Sequence, residues 1–203
     1  MQNNYKKYFL QDSIAFRKTT ERWGGLSNMA SGFSLNVNNI YINSSEILYQ
    51  ACRFPHYPEI QEKILYESNP MAAKRIARQY NNKTRDNWGV NRVSIMKWAV
   101  FVKLCQNWDN FYYLLKSTET KNIVEHSEKD MFWGAKLKDD HYYGENALGR
   151  ILMFTREHAR KFENTQILRI APLKIQDFKL LSQDIRVVSY DEKKDDLNFK
   201  LFP

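Results

Sequence analysis

The sequence predicts an α+β protein, rich in helix, with a small sheet and a strand-bearing C-terminal extension. Three observations carry that class. Apolar residues recur at helical spacing in six stretches between residues 44 and 162. Strand-like patterning is confined to residues 5–42, to "NIVEHS", and to the region after residue 164. The 203 residues are 43% hydrophobic with only 7 glycines, enough to bury one sizeable core and too few breakers for a turn-dominated chain.

Along residues 5–42, "AFRKT" reads as an edge strand. "FSLNVNNIYIN" alternates about Asn38-Asn39, a pair suited to the left-handed turn of a short hairpin. A helix is expected from Ser44 to Arg53, ended by Pro55 and Pro58. "EIQEKILYES" gives a second short helix. In "NPMAAKRIARQY", Asn69 as N-cap and Pro70 at the first helical position mark a third. Residues 91–105 are apolar on most faces, which fits a central buried helix. "DNFYYLLKST" is read as a helix, "EKDMFWGAKLKDDHYYGENALG" as a long irregular stretch, and residues 147–162 as the last helix. The segment "ILRIAPLKIQDFKLLSQDIRVVSY" carries short strands, and "DEKKDDLNFKLFP" is expected to be ordered only by docking.

Composition excludes several classes. No apolar run reaches the ~18 residues of a membrane span, and "MQNNYKKYFLQDSIAF" lacks a signal-peptide core, so the cytoplasm is the expected compartment. The four histidines and two cysteines show no metal-ligand spacing. Cys52 and Cys105 lie in apolar runs and read as buried free thiols. The net charge is +8, and residues 71–105 alone hold eight Lys or Arg against Asp86, a local +7. Such a cluster suits a polyanion, or is simply a solvated face.

Several residues admit two readings. Glu46 is either the N3 partner of an Asn43 cap or a carboxylate aimed into a cleft for acid/base work. Gln50 and Arg53 share its helix face. Lys74 and Arg78, one turn apart among alanines, are either snorkelling surface residues or, if buried, an amine of altered basicity beside a guanidinium. Trp23, Gly24 and Asn28 in "ERWGGLSNM", Asp130, Trp133 and Gly134 in "KDMFWGAK", and Trp88 before Gly89 pair aromatic faces with close-approach backbone. Asn146 opens the last helix as an anion site or a plain cap.

Taken together, "LSN" 26–28, "SSEILYQA" 44–51, "PMAAK" 70–74, "WGVNR" 88–92 with Met96, "VEHSEKDMFWG" 124–134 and "GENALGRILM" 144–153 resemble the NADAR (YbiA-like) family in content and order. The resemblance covers about residues 20–160 and implies a catalytic domain over 1–164, with the 165–203 extension packed on the same domain. Many members carry His directly after the Glu and often Lys later on; here these are Ile47 and Arg53, and any proton shuttle through that histidine is in doubt. The wording of "EILYQACRFPHYPEIQ" and "PLKIQDFKLL" is closest to the NADAR antitoxins paired with DarT-type guanine ADP-ribosyltransferase toxins.

That resemblance implies a glycohydrolase removing ADP-ribose from guanine in DNA, with a cognate toxin as partner and no metal or redox cofactor. It implies Glu46 as acid/base, Lys74 as a catalytic amine able to attack the opened ribose, and Asp130 as a group holding ribose or lysine. Trp23, Gly24, Asn28, Gln50, Arg78, Trp88, Arg92, Trp133, Gly134 and Asn146 would line the ADP-ribose site. The alternatives are an N-glycosidase on small phosphorylated riboflavin-pathway intermediates and a non-catalytic ADP-ribose-binding module.

Overall fold

The computed structural model describes residues 5–167 and 169–191. In chain order these form β1 (Lys6–Phe9), β2 (Ser13–Phe16), β3 (Leu35–Val37), β4 (Ile40–Ile42), α1 (Ser45–Ala51), α2 (Pro58–Leu65), α3 (Pro70–Gln79) and α4 (Trp88–Gln106). A π-helical turn, Trp108–Tyr112, leads into α5 (Tyr113–Lys116). Then follow β5 (Asn122–Glu125), β6 (Lys136–Lys138), β7 (His141–Gly144), α6 (Ala147–Arg160) and four two-residue strands, β8 (Arg169–Ile170), β9 (Lys179–Leu180), β10 (Gln183–Asp184) and β11 (Val188–Ser189). Helices with small sheets and C-terminal strands bear out the α+β class. The end of "DEKKDDLNFKLFP", residues 192–203, lies outside the described residues.

Two compact units emerge, each from two stretches of chain. The first draws on Met1–Ala30 and Asp109–Asn164, the second on Ser31–Trp108 and Thr165–Pro203. In the first, β2 pairs in parallel with β5, and β1, β7 and β6 form an antiparallel sheet in that order. Tyr8, Val124, Ala135 and Tyr142 are its buried cluster, with Ala15, Leu137 and Met153 packed on it. The β6–β7 hairpin falls inside the stretch expected to be irregular. Its strands are three and four residues long and carry Lys136, Lys138 and His141, so no apolar alternation announces them.

In the second unit α1 packs against α2, α3 and α4, and β3–β4 is the expected hairpin. Asn38 and Asn39 both adopt left-handed φ, 55° and 64°, as its two-residue turn requires. Asn69 accepts from the Met71 amide at 2.9 Å ahead of Pro70, the start signal read from the sequence. The buried face of α4 includes Ile95, Met96, Trp98, Ala99, Val102 and Cys105. Both cysteines are free and buried. The described part of the extension folds within this unit. Gln61 Nε2 donates to the Ala51 and Lys179 carbonyls at 3.1 and 3.0 Å, and Gln106 Nε2 to those of Asn36 and Ser189 at 2.8 and 3.0 Å. Among the described residues no helix is long and apolar enough to cross a membrane.

Candidate active site

The second unit gathers the most chemically suggestive group. The expected Asn43 cap of α1 does not form. Ser44 is the N-cap, its Oγ accepting from the Ile47 amide at 3.3 Å. The capping-box reading of Glu46 therefore fails, because the helix starts one residue later than Asn43 requires. Glu46 sits in the first turn with its side chain 2% exposed. Gln50 Nε2 donates to its Oε1 at 2.7 Å, and Lys74 Nζ lies 3.9 Å from the same oxygen. Burial raises the Glu46 pKa above its ordinary value of 4.5, opposed by Lys74, the Gln50 hydrogen bond, Arg53 and Arg78. A carboxyl so placed is biased toward its protonated form while ringed by cations that stabilise its anion.

The polar row continues along α1. Gln50 Oε1 accepts from Arg53 Nη1 at 3.0 Å, and Arg53 Nη2 donates to Asn81 Oδ1 and Thr84 Oγ1 at 2.7 and 2.9 Å. Both ends of the Gln50 amide are thus engaged within the protein. Burial draws the Arg53 guanidinium below its usual range, opposed by Tyr49 and Glu46. Trp88 opens α4 with its ring 4.9 Å from that of Tyr49 and 5.5 Å from Arg53 Cζ. Arg92, four residues on, is half-buried on the same face. Lys74 is partly covered, with 29% of its side chain exposed, and Arg78 is exposed. Ile47, where the resemblance expects histidine, is fully buried core.

The local +7 stretch is less of a surface than its sequence implies. Arg75, Arg78 and Lys83 are exposed, and Lys74, Arg92 and Lys97 are half-buried. Arg85 and Lys103 are interior, Lys103 with its ammonium 4.2 Å from the Phe33 ring centroid. Burial holds the Lys103 amine well below its ordinary basicity.

The remaining sequence candidates belong to the first unit. Ser127 Oγ accepts from the Asp130 amide at 2.9 Å. Asp130 Oδ1 in turn accepts from the Phe132 and Trp133 amides at 3.1 and 2.9 Å. Trp133 is half-buried, edge-on to Phe132. Asn146 is buried with φ 49°, and its side chain does not cap α6. Instead its Nδ2 donates to the Ile123 carbonyl at 2.8 Å and its Oδ1 accepts from the Glu125 amide at 3.1 Å. A Cβ at Gly134 would stand 2.5 Å from the Glu125 carbonyl oxygen, and one at Gly24 2.2 Å from that of Thr19, so both glycines answer to close backbone packing. Trp23 is half-buried with the Arg22 guanidinium 4.8 Å from its ring, and Asn28 is buried. Among the described residues no group of three His, Cys, Asp or Glu side chains gathers to hold a metal.

Sequence reasoning placed Arg53 on the Glu46 face but missed the residues that fix it. Asn81 and Thr84 lie 28 and 31 positions downstream, and no local spacing marks them.

A buried carboxyl of raised pKa with a lysine 3.9 Å away is a perturbed titratable group of the kind that marks a candidate catalytic site. The NADAR domain model matches residues 15–160, and the chain belongs to the NADAR family. It is 32% identical over 152 residues to the N-glycosidase YbiA of Escherichia coli (strain K12), covering 74% of this chain and 91% of that one. It is 36% identical over 152 residues to the riboflavin biosynthesis protein VVA0006 of Vibrio vulnificus (strain YJ016), covering 75% of this chain but only 40% of that protein's length. An NMR structure of E. coli YbiA matches with TM-score 0.66 and 29% identity, over 79% of this chain and 92% of that one.

Proposed function

We propose that the protein hydrolyses an N-glycosidic bond, that its substrate is ADP-ribose attached to guanine in DNA, and that by this it counteracts a DNA ADP-ribosyltransferase toxin. The observation that carries the reading is Glu46: buried, pKa raised, and 3.9 Å from the Lys74 ammonium. Breaking a C1″–N bond sends the electron pair onto a poor nitrogen leaving group, which needs a proton. The acid form of Glu46 supplies it, and the resulting carboxylate stabilises positive charge at C1″. Water then adds at C1″ and returns a proton to Glu46, leaving free ADP-ribose and the restored base. Lys74 and Arg78 offset the anion formed in between. The exposed Arg75, Arg78 and Lys83 suit a phosphate backbone, which makes affinity fall as salt rises.

The test is incubation with a guanine-ADP-ribosylated oligonucleotide, following free ADP-ribose by mass spectrometry. Release by the parent and none by Glu46→Gln supports the reading; full release by Glu46→Gln sinks the site. Similarity to an N-glycosidase and to a riboflavin biosynthesis protein suits a second reading, hydrolysis of a small phosphorylated riboflavin-pathway intermediate. Turnover of such a compound, at a rate indifferent to salt and to added DNA, would replace the first. Tight ADP-ribose binding without turnover of either substrate would leave a binding module.

A further inference from the structure

The polar row from Glu46 does not stop at Arg53. Residues 81–85 form a clip around that arginine: Asn81 and Thr84 accept from its guanidinium, and the Arg85 amide donates to its carbonyl at 2.9 Å. Arg85 is itself held. Its Nε donates to Asn87 Oδ1 at 2.6 Å, its Nη2 to the Gln176 carbonyl, and its Nη1 reaches the Asp177 carbonyl at 3.4 Å. The residue is 7% exposed, and burial pulls its pKa below the ordinary range. Asp177 takes a left-handed φ of 50°, a conformation a non-glycine residue keeps only when its surroundings hold it. Its Oδ2 lies 3.6 Å from Nε2 of the exposed His56, in the chain just beyond α1.

We propose that Arg85 is a positioning residue for Glu46, gripped by the extension's Gln176–Asp177 backbone so that the 81–85 clip holds Arg53 against Gln50. The inference rests on Glu46 being the working carboxyl of the proposed reaction. It gives the extension a task within the second unit: its backbone carbonyls, present whatever the side chains there, fix the last cation in the row. A guanidinium is needed because one planar fork serves two carbonyls and Asn87 together, where an ammonium serves as a point charge. The charges bearing on Glu46 are Lys74 and Arg78 from α3 and Arg53 from just past the end of α1. Arg53 lowers the Glu46 pKa, so loosening it moves that pKa further up.

The experiment compares full-length parent, Arg85→Lys and Arg85→Ala by ¹³C NMR titration of glutamate carboxyls, with the Glu46 resonance assigned by its loss in Glu46→Gln. Release kinetics on ADP-ribosylated oligonucleotide run in parallel. The expected result is a Glu46 midpoint shifted to higher pH in both variants. Arg85→Lys keeps the charge, so a shift there reports lost geometry. The kcat for release falls by about tenfold to a hundredfold, with KM little changed. A folded Arg85→Lys protein with an unmoved Glu46 midpoint overturns the proposal, and it decides the matter if Arg85→Ala does not fold. A shifted midpoint with undiminished release by Glu46→Gln retains the positioning link and instead removes Glu46 from the reaction.

Discussion

The α1 face of the second unit and the 127–146 region of the first are equally rich in polar side chains, yet they use them oppositely. Along α1 and just past its end, Glu46, Gln50 and Arg53 bond to one another, Arg53 also to the Asn81 and Thr84 side chains, with the Lys74 ammonium 3.9 Å from Glu46. In the first unit, Ser127, Asp130 and Asn146 bond to backbone amides and carbonyls of their own loop and of β5. Side chains spent on backbone set the course of the chain. Side chains that bond each other around a buried carboxyl set its proton affinity, and that is the more direct route to chemistry.

The comparison breaks most readily at Glu46. Glu46→Gln is expected to lower single-turnover release by about a thousandfold, within the usual range for loss of a general acid, while thermal unfolding remains cooperative. Lys74→Ala comes next, with a loss of about a hundredfold. It also removes the largest influence opposing the raised Glu46 pKa, so the pH–rate limb belonging to Glu46 moves to higher pH. On the other side, Asn146→Ala takes two hydrogen bonds from β5 and puts alanine in a left-handed position. Denaturant unfolding is expected to show a loss of about 3 kcal/mol. Asp130→Asn retains an Oδ1 acceptor for the Phe132 and Trp133 amides, and the same measurement should show less than about 1 kcal/mol.

The smallest effect is one of pH. The folded Glu46 pKa lies above the unfolded one, so the folded state holds the proton more tightly. Its contribution to stability is full below the ordinary value of 4.5 and is lost as pH rises through the folded value. Glu46→Gln removes that loss. Its melting temperature should gain on the parent as pH increases, and a gain that shrinks with pH would contradict the burial cost assigned to this carboxyl.

What the sequence disclosed was local. Asn38-Asn39 announces its hairpin because the turn's dihedrals favour those residues, and Asn69-Pro70 announces α3 because cap and first turn are adjacent. The row Glu46, Gln50, Arg53 was visible from helical spacing alone. What stayed hidden depends on distant partners. β7 pairs with β1 across more than a hundred residues, and Arg53 meets Asn81 and Thr84 through tertiary packing. The cap was misplaced by one residue because Asn43 and Ser44 are both good caps and only the backbone decides between them. Asn146 and Gly134 read as ligand groups because an asparagine that pins a strand, or a glycine that lets two backbones approach, looks in sequence like one that receives a phosphate.

The interleaving of the chain also sets an order in time. The second unit begins at Ser31 but takes strands from beyond Thr165. A nascent chain halted before Gln176 already carries Glu46, Lys74 and the 81–85 clip, yet lacks the carbonyls that grip Arg85. The Glu46 carboxyl is therefore made well before the carbonyls of Gln176 and Asp177, and the grip on Arg85 forms only once that later segment has been synthesised.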